Sequence, residues 1–316
     1  MKKISLLLSI FFLAACQSTS TPPAQTATLV PVVALTSTPA LIPFTATPEA
    51  TSTPIPTATP ETVKISPTDG MTQLFIPAGT VNMGGLDVLL ENDELPAHQV
   101  QINAFWVDQV EVVNGMYALC VKAGTCRPPA NNNSDNRKEY YGNPEFQDYP
   151  VVQVTWYDAN VYCQWAGRRL PTEAEWERAA RGDSVTTYPW GGELPNAINS
   201  NSLNIVGDTT RVGSYAAGMS PFGVLDMAGN VWEWVADYYK GNYYAESPID
   251  NPTGPENGGL NNVRVIRGGS FQDDASMLRI SNRGYEAGPD PSALPNDAAY
   301  YGRSSAKIGF RCVSDN

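Results

Sequence analysis

The chain has 316 residues and a formal net charge of −12, from 32 acidic against 20 basic side chains. An acid excess of this size argues against nucleic acid or an anionic membrane face as the partner. With one histidine, His98, a multi-histidine metal centre is excluded within one chain, and any Ser-His-Asp or Cys-His hydrolase would have to use that residue.

At the N-terminus, Lys2 and Lys3 precede an apolar run from Ile4 to Leu13, closed by Ala14, Ala15 and Cys16. This is the layout of a secretory signal, residues 1–16, and its apolar run is too short for a spanning helix. Cysteine directly after Leu-Ala-Ala resembles a bacterial lipobox, which implies lipidation of Cys16. The expected location is therefore the cell envelope, with the mature chain lipid-anchored to the membrane and facing outside the cytoplasm. Residues 17–67 follow as Thr, Pro, Ser and Ala, with nine prolines between positions 22 and 60. Such a segment forms neither helix nor central strand, so a disordered, partly polyproline-like stalk is expected.

Residues 68–316 suit one large domain and hold all seven tryptophans. Gln73–Pro77 and Thr80–Gly85 read as strands, and Gln99–Val107 alternates polar and apolar as a half-buried strand does. Glu111–Ala123 and Tyr157–Ala166 read as helices. Thr172, with Glu175 three residues on, forms a capping box that starts another. Beyond Arg181 the chain is rich in Gly, Asn, Pro and aromatics, and has to be held by side-chain hydrogen bonds, disulfides or ions; the run after Trp232 reads as a helix. With Cys16 lipidated, four cysteines remain, which suits two disulfides in an oxidising compartment. Cys120 and Cys126 can close a small loop, leaving Cys163 for Cys312. The alternative is a reactive cysteine pair.

Four segments together resemble one family: Arg168-Arg169-Leu170-Pro171-Thr172-Glu173-Ala174-Glu175-Trp176-Glu177, Gly223 to Trp234 (GVLDMAGNVWEW), Arg267-Gly268-Gly269-Ser270-Phe271 and Gly309-Phe310-Arg311-Cys312. Their order and spacing are similar to the formylglycine-generating enzyme, or sulfatase-modifying factor, family; Glu94 to His98 and Glu111 to Asn114 resemble its first strand and helix less closely. The resemblance implies an irregular α+β fold related to C-type lectins, with little regular secondary structure and structural calcium. Asp226, Asn230 and Glu233 place hard oxygen donors in a short window, as calcium prefers; the plainer reading has these acids capping the next helix. By family correspondence the ligands are Asp226, Gly229, Val231 and Glu233. A second, weaker set is Asn199, Ser200, Gly213 and Tyr215, where Gly213 stands at the acidic position. Cys163 and Cys312 match a family disulfide. Trp156, Trp165, Trp176, Trp232 and Trp234 read as core.

Oxygen-dependent members bind copper(I) through two cysteines placed three and eight residues after the serine of the Arg-Gly-Gly-Ser turn. Those positions here are Asp273 and Leu278, neither a soft ligand, so copper is not expected. The iron-dependent branch needs three histidines. Asp273 and Asp274 have the chemistry for a hard metal, but a solvated acidic loop is the simpler reading, and Ser270 has no evident activating partner. The expected function is a catalytically degenerate domain that binds a peptide, protein or glycan in a groove near Ser270, Asp273, Asp274, Arg279 and Arg283. The alternatives are an oxidase acting on a sulfatase cysteine or another substrate, and a structural surface protein.

Overall fold

The computed structural model describes residues 61–316 except 86–89 and 260–261. The expected signal segment, Cys16 and the stalk as far as residue 60 lie outside the described residues. Folded structure begins before residue 68, since strand β1 (Val63–Ile65) pairs antiparallel with β2 (Thr72–Ile76). Its two outer residues are exposed, as in an edge strand, and Lys64 between them lies 4.4 Å over the Trp106 ring. The stalk boundary at residue 67 is corrected accordingly.

β2 pairs with β5 (Phe105–Asp108), and β5 with β10 (Val313–Asp315), giving the antiparallel order β1-β2-β5-β10. The alternating stretch expected as one strand over 99–107 is two. β4 (His98–Ile102) pairs with β3 (Gly79–Met83), and the break falls where the Asn103 N–H turns out of the ladder to the Asn251 Oδ1 at 2.8 Å. Helix α1 (Asn114–Lys122) starts later than expected, because the Val112 carbonyl, which a helix would offer to Met116, accepts instead from the Val151 N–H at 2.9 Å. α2 (Trp156–Trp165) and α3 (Glu173–Arg181) follow; α3 opens on the Thr172–Glu175 capping box read from the sequence.

A third sheet has the order β8-β7-β6-β9, from β6 (Trp232–Tyr238), β7 (Arg264–Arg267), β8 (Gly284–Glu286) and β9 (Ile308–Phe310). The run from Trp232 is therefore a strand, not a helix. It is paired on both sides, parallel to β9 and antiparallel to β7, and mostly buried, which rewards aromatic and β-branched residues. The architecture is the expected irregular, C-type-lectin-like α+β fold.

Both disulfides are present, Cys120–Cys126 and Cys163–Cys312. The second lies in a core cluster with Tyr117, Tyr162, Trp234 and Phe310. Trp176 and Trp234 are fully buried, while Trp156, Trp165 and Trp232 pack on the same cluster partly exposed. In the irregular half, buried amides replace regular pairing. Asn230 Oδ1 accepts from Asn201 Nδ2 (3.1 Å) and from the Thr210 N–H (2.9 Å), and Asn230 Nδ2 donates to Glu111 Oε1 (2.9 Å).

Candidate functional site

β7 delivers Arg267 into the interior and then turns sharply. Gly268 and Gly269 have φ of +98° and +74°, a region that disfavours side chains. A Cβ on Gly268 would stand 3.2 Å from the Trp176 ring, and one on Gly269 would stand 2.9 Å from Leu278. The close approach made by this glycine pair is to the protein's own core. Ser270, next in line, is fully buried.

The fate of the two family thiolate positions is unambiguous. Asp273 Oδ2 accepts three hydrogen bonds: from the Ser270 N–H (2.8 Å), the Ser270 Oγ (2.6 Å) and the Trp232 Nε1 (2.8 Å). Asp273 is thus a turn clamp, not a solvated acid, and Ser270 has a carboxylate partner after all. The Ser-x-x-Asp spacing, the local side-chain-to-backbone motif, was the available sequence signal. Leu278 is wholly buried with Tyr188 and Ala228, packed by Trp190 and Ala275. Asp274 is exposed; the Ser276 hydroxyl and N–H hold its carboxyl below the usual range.

The remaining groove candidates face inward. Arg279 makes a two-pronged pair with Glu94, at 2.6 Å for each contact, and both side chains are buried. Arg283 donates to both oxygens of Glu173 at 2.7 and 3.0 Å, and to the carbonyls of Asp93 and Lys240. Neither guanidinium is left to face a ligand beside Ser270. Both belong to a set of interior ion pairs that includes Arg267 with Glu173 and Glu177, Arg181 with Glu177, Arg168 with Asp69 and Asp108, and Arg311 with Glu233.

Both Glu233 oxygens are occupied, Oε1 by Arg311 Nη2 (2.6 Å), and Oε2 by Arg311 Nε (2.7 Å) and Trp176 Nε1 (2.9 Å). Glu233 is thus shared by Arg311 and Trp176, within electrostatic reach of Glu111 and Asp226. Asp226, held at φ +57°, accepts from the Gly213 N–H at 2.6 Å and lies within electrostatic reach of the Glu111 carboxyl. Glu111 Oε2 is buried and has no hydrogen-bond donor. Burial, and after it the charge of Asp226, pushes the Glu111 carboxyl well above its usual range; burial also raises Asp226. Glu111 and Asp226 therefore form the under-compensated acidic spot, and sequence spacing gave no hint of Glu111, 115 positions upstream of Asp226. No cluster of three or more Asp, Glu, His or Cys side chains set for a metal occurs among the described residues. In the weaker set, Asn199 Oδ1 accepts from the Asn196 N–H (2.8 Å), and the Gly213 N–H donates to Asp226 Oδ2 (2.6 Å).

These features define a sulfatase-modifying-factor-type fold whose characteristic turn is closed by its own side chains. Residues 59–316 match the sulfatase-modifying factor enzyme 1-like domain family, and the chain belongs to that family. It is 31% identical to the formylglycine-generating enzyme of Streptomyces coelicolor, over 85% of this chain and 95% of that protein. It is 34% identical to the hercynine oxygenase of Mycolicibacterium thermoresistibile over 62% of this chain, and spans half of that protein's length. Among solved structures, that of PvdO from Pseudomonas aeruginosa is similar, with TM-score 0.65 and 29% identity, covering 82% of this chain and all of PvdO.

Proposed function

We propose that this chain is a lipid-anchored, extracytoplasmic binding protein built on a sulfatase-modifying-factor domain that lacks copper-dependent oxidase chemistry. The observation that carries the reading is the Asp273 clamp together with the buried Leu278. A copper(I) site needs two soft, deprotonated sulfur ligands; these positions hold a hard carboxylate oxygen bound by three donors and a hydrocarbon side chain. The ligand class is a peptide, protein or glycan outside the cytoplasm. The competing reading, an oxidase of a cysteine-containing substrate, is favoured by the similarity to the Streptomyces enzyme. Aerobic incubation with copper(I) and a cysteine-containing sulfatase peptide is expected to give no aldehyde above a no-protein control; aldehyde at enzyme-like rates sinks the binding reading.

The same reading includes structural calcium at Asp226, with Glu111 taking the place the family correspondence gives to Glu233. A divalent cation offsets two facing buried carboxylates and gives Glu111 Oε2 a partner. Calcium is expected to stabilise the chelator-treated protein by about 1.4 kcal/mol at ten times its dissociation constant. Glu111→Gln should abolish this gain in a thermal melt. A variant that keeps the full calcium response would remove Glu111 from the ligand set.

A further inference from the structure

Away from the closed turn, the edge strand β8 presents Tyr285, which is 57% exposed. Its ring stacks on Tyr239 with centroids 4.3 Å apart and planes 30° apart. Tyr239 is itself fixed, since its hydroxyl donates to Asp93 Oδ2 at 2.8 Å. An exposed aromatic face is thus held rigidly by a second ring and a carboxylate. The pair borders a cavity of about 530 Å³ whose wall also carries Glu91, Asp93 and Arg283. Tyr285 also lines a second cavity of about 650 Å³ that includes Glu286, Asp290 and Arg303.

The charge on the first wall is one-sided. Arg283 is its one cation; its guanidinium is committed to Glu173 and two main-chain carbonyls and stands 5.0 Å from the Tyr239 ring centroid, which leaves the exposed Tyr285 ring for a further cation. Nearby Lys240 is paired with Glu246 at 2.6 Å. The acids at Glu91 and Asp93 have no lysine or arginine paired to them among the ion pairs described. An aromatic face backed by carboxylates that have no ion-pair partner attracts a cation, through the ring quadrupole and the carboxylates together. The overall charge of −12 adds long-range attraction for a basic partner.

We infer that the Tyr239–Tyr285 stack, with Glu91 and Asp93, seats a single lysine or arginine side chain of a peptide or protein partner. This rests on the binding reading and narrows its ligand to a basic polypeptide. A pyranose ring would also use an exposed aromatic and donate its hydroxyls to the acids, but only a cation gains their charge as well.

The test uses the full chain and two probes, the capped tripeptide Gly-Arg-Gly and its citrulline counterpart, which keeps the shape and loses the charge. Binding is followed through the ring signals of selectively labelled tyrosine. The arginine peptide is expected to bind about tenfold more tightly than the citrulline peptide. Tyr285→Ala should weaken it about two- to fivefold, and Glu91→Gln should weaken it in the same direction. Both positions are exposed, so unchanged melting temperatures are expected to show that the variants fold. Equal binding of the two peptides, or Tyr285→Ala without effect, overturns the inference. So does saturable binding of methyl glucoside lost in Tyr285→Ala while the arginine peptide fails to bind. The aldehyde assay is independent of Tyr285, so failure here and failure of the binding reading are separable.

Discussion

Replacing Arg267 by Met is expected to cost about 3–5 kcal/mol of folding stability, the range for removing one partner of a buried ion pair. Arg267 is fully buried, donates to Glu177 Oε2 at 2.6 Å and to Glu173 Oε1 at 3.1 Å, and also satisfies the carbonyls of Ile280 and Ser281. Methionine fills a comparable volume but leaves two acids short of a counter-charge and two carbonyls short of a donor. Glu173 retains Arg283 and Glu177 retains Arg181, so the acids are not fully stranded and the loss stays finite. For a domain of this size the melting temperature should fall by roughly 6–20 °C. Arg169→Met is the control: that side chain is 38% exposed in its pairs with Glu175 and Asp315 and should cost about 1 kcal/mol or less. Urea denaturation of the two variants side by side checks the contrast, and equal losses would contradict it.

The second large effect is expected at Asp273. Replacement by Ala strands the Ser270 N–H and hydroxyl and the Trp232 indole N–H, all of which now share one carboxylate oxygen. Hydrogen bonds to a charged acceptor are worth about 1.5–3 kcal/mol each, and some donors regain water because Asp273 is partly exposed; a net loss of about 2–4 kcal/mol follows. Asp273→Cys, which restores a family-type thiol, should lose a similar amount, because sulfur is a poor acceptor for three donors. The indole N–H resonance of Trp232 should move in both variants. A loss below about 0.5 kcal/mol with an unmoved indole signal would return Asp273 to the status of a solvated acid.

The contrast between these sites and their sequence appearance has a physical cause. Thr172 and Glu175 are three residues apart, so their capping box is written in local spacing, and α3 begins where that spacing places it. Cys120–Cys126 and Cys163–Cys312 are legible because the first two are six positions apart, short enough to close a loop, and among the remaining domain cysteines that leaves one pairing. The strand at Trp232 is not legible locally, because Val-Trp-Glu-Trp-Val suits either a buried helix turn or a central strand; its pairing partners, Arg267 and Ile308, lie far along the chain. Arg279 and Arg283 resembled groove residues because a charged side chain is read as solvated until its partner is known. Their partners are Glu94, 185 residues away, and Glu173, 110 residues away. Glu111 was invisible as a site residue for the same reason: its significance comes from facing Asp226 across the fold.

The arginine–carboxylate interior bears on how this protein responds to temperature. Unfolding an apolar core raises the heat capacity strongly, whereas exposing polar surface lowers it. With Arg168, Arg267, Arg279, Arg283 and Arg311 and their acids all inside, unfolding hydrates charged groups along with hydrocarbon. The heat-capacity increment per residue should therefore fall below the ordinary figure of about 12–15 cal/mol/K. Its stability curve is then broader than that of an equally large hydrocarbon-cored domain, and the interior charges that add little to peak stability spread what there is over a wider thermal range.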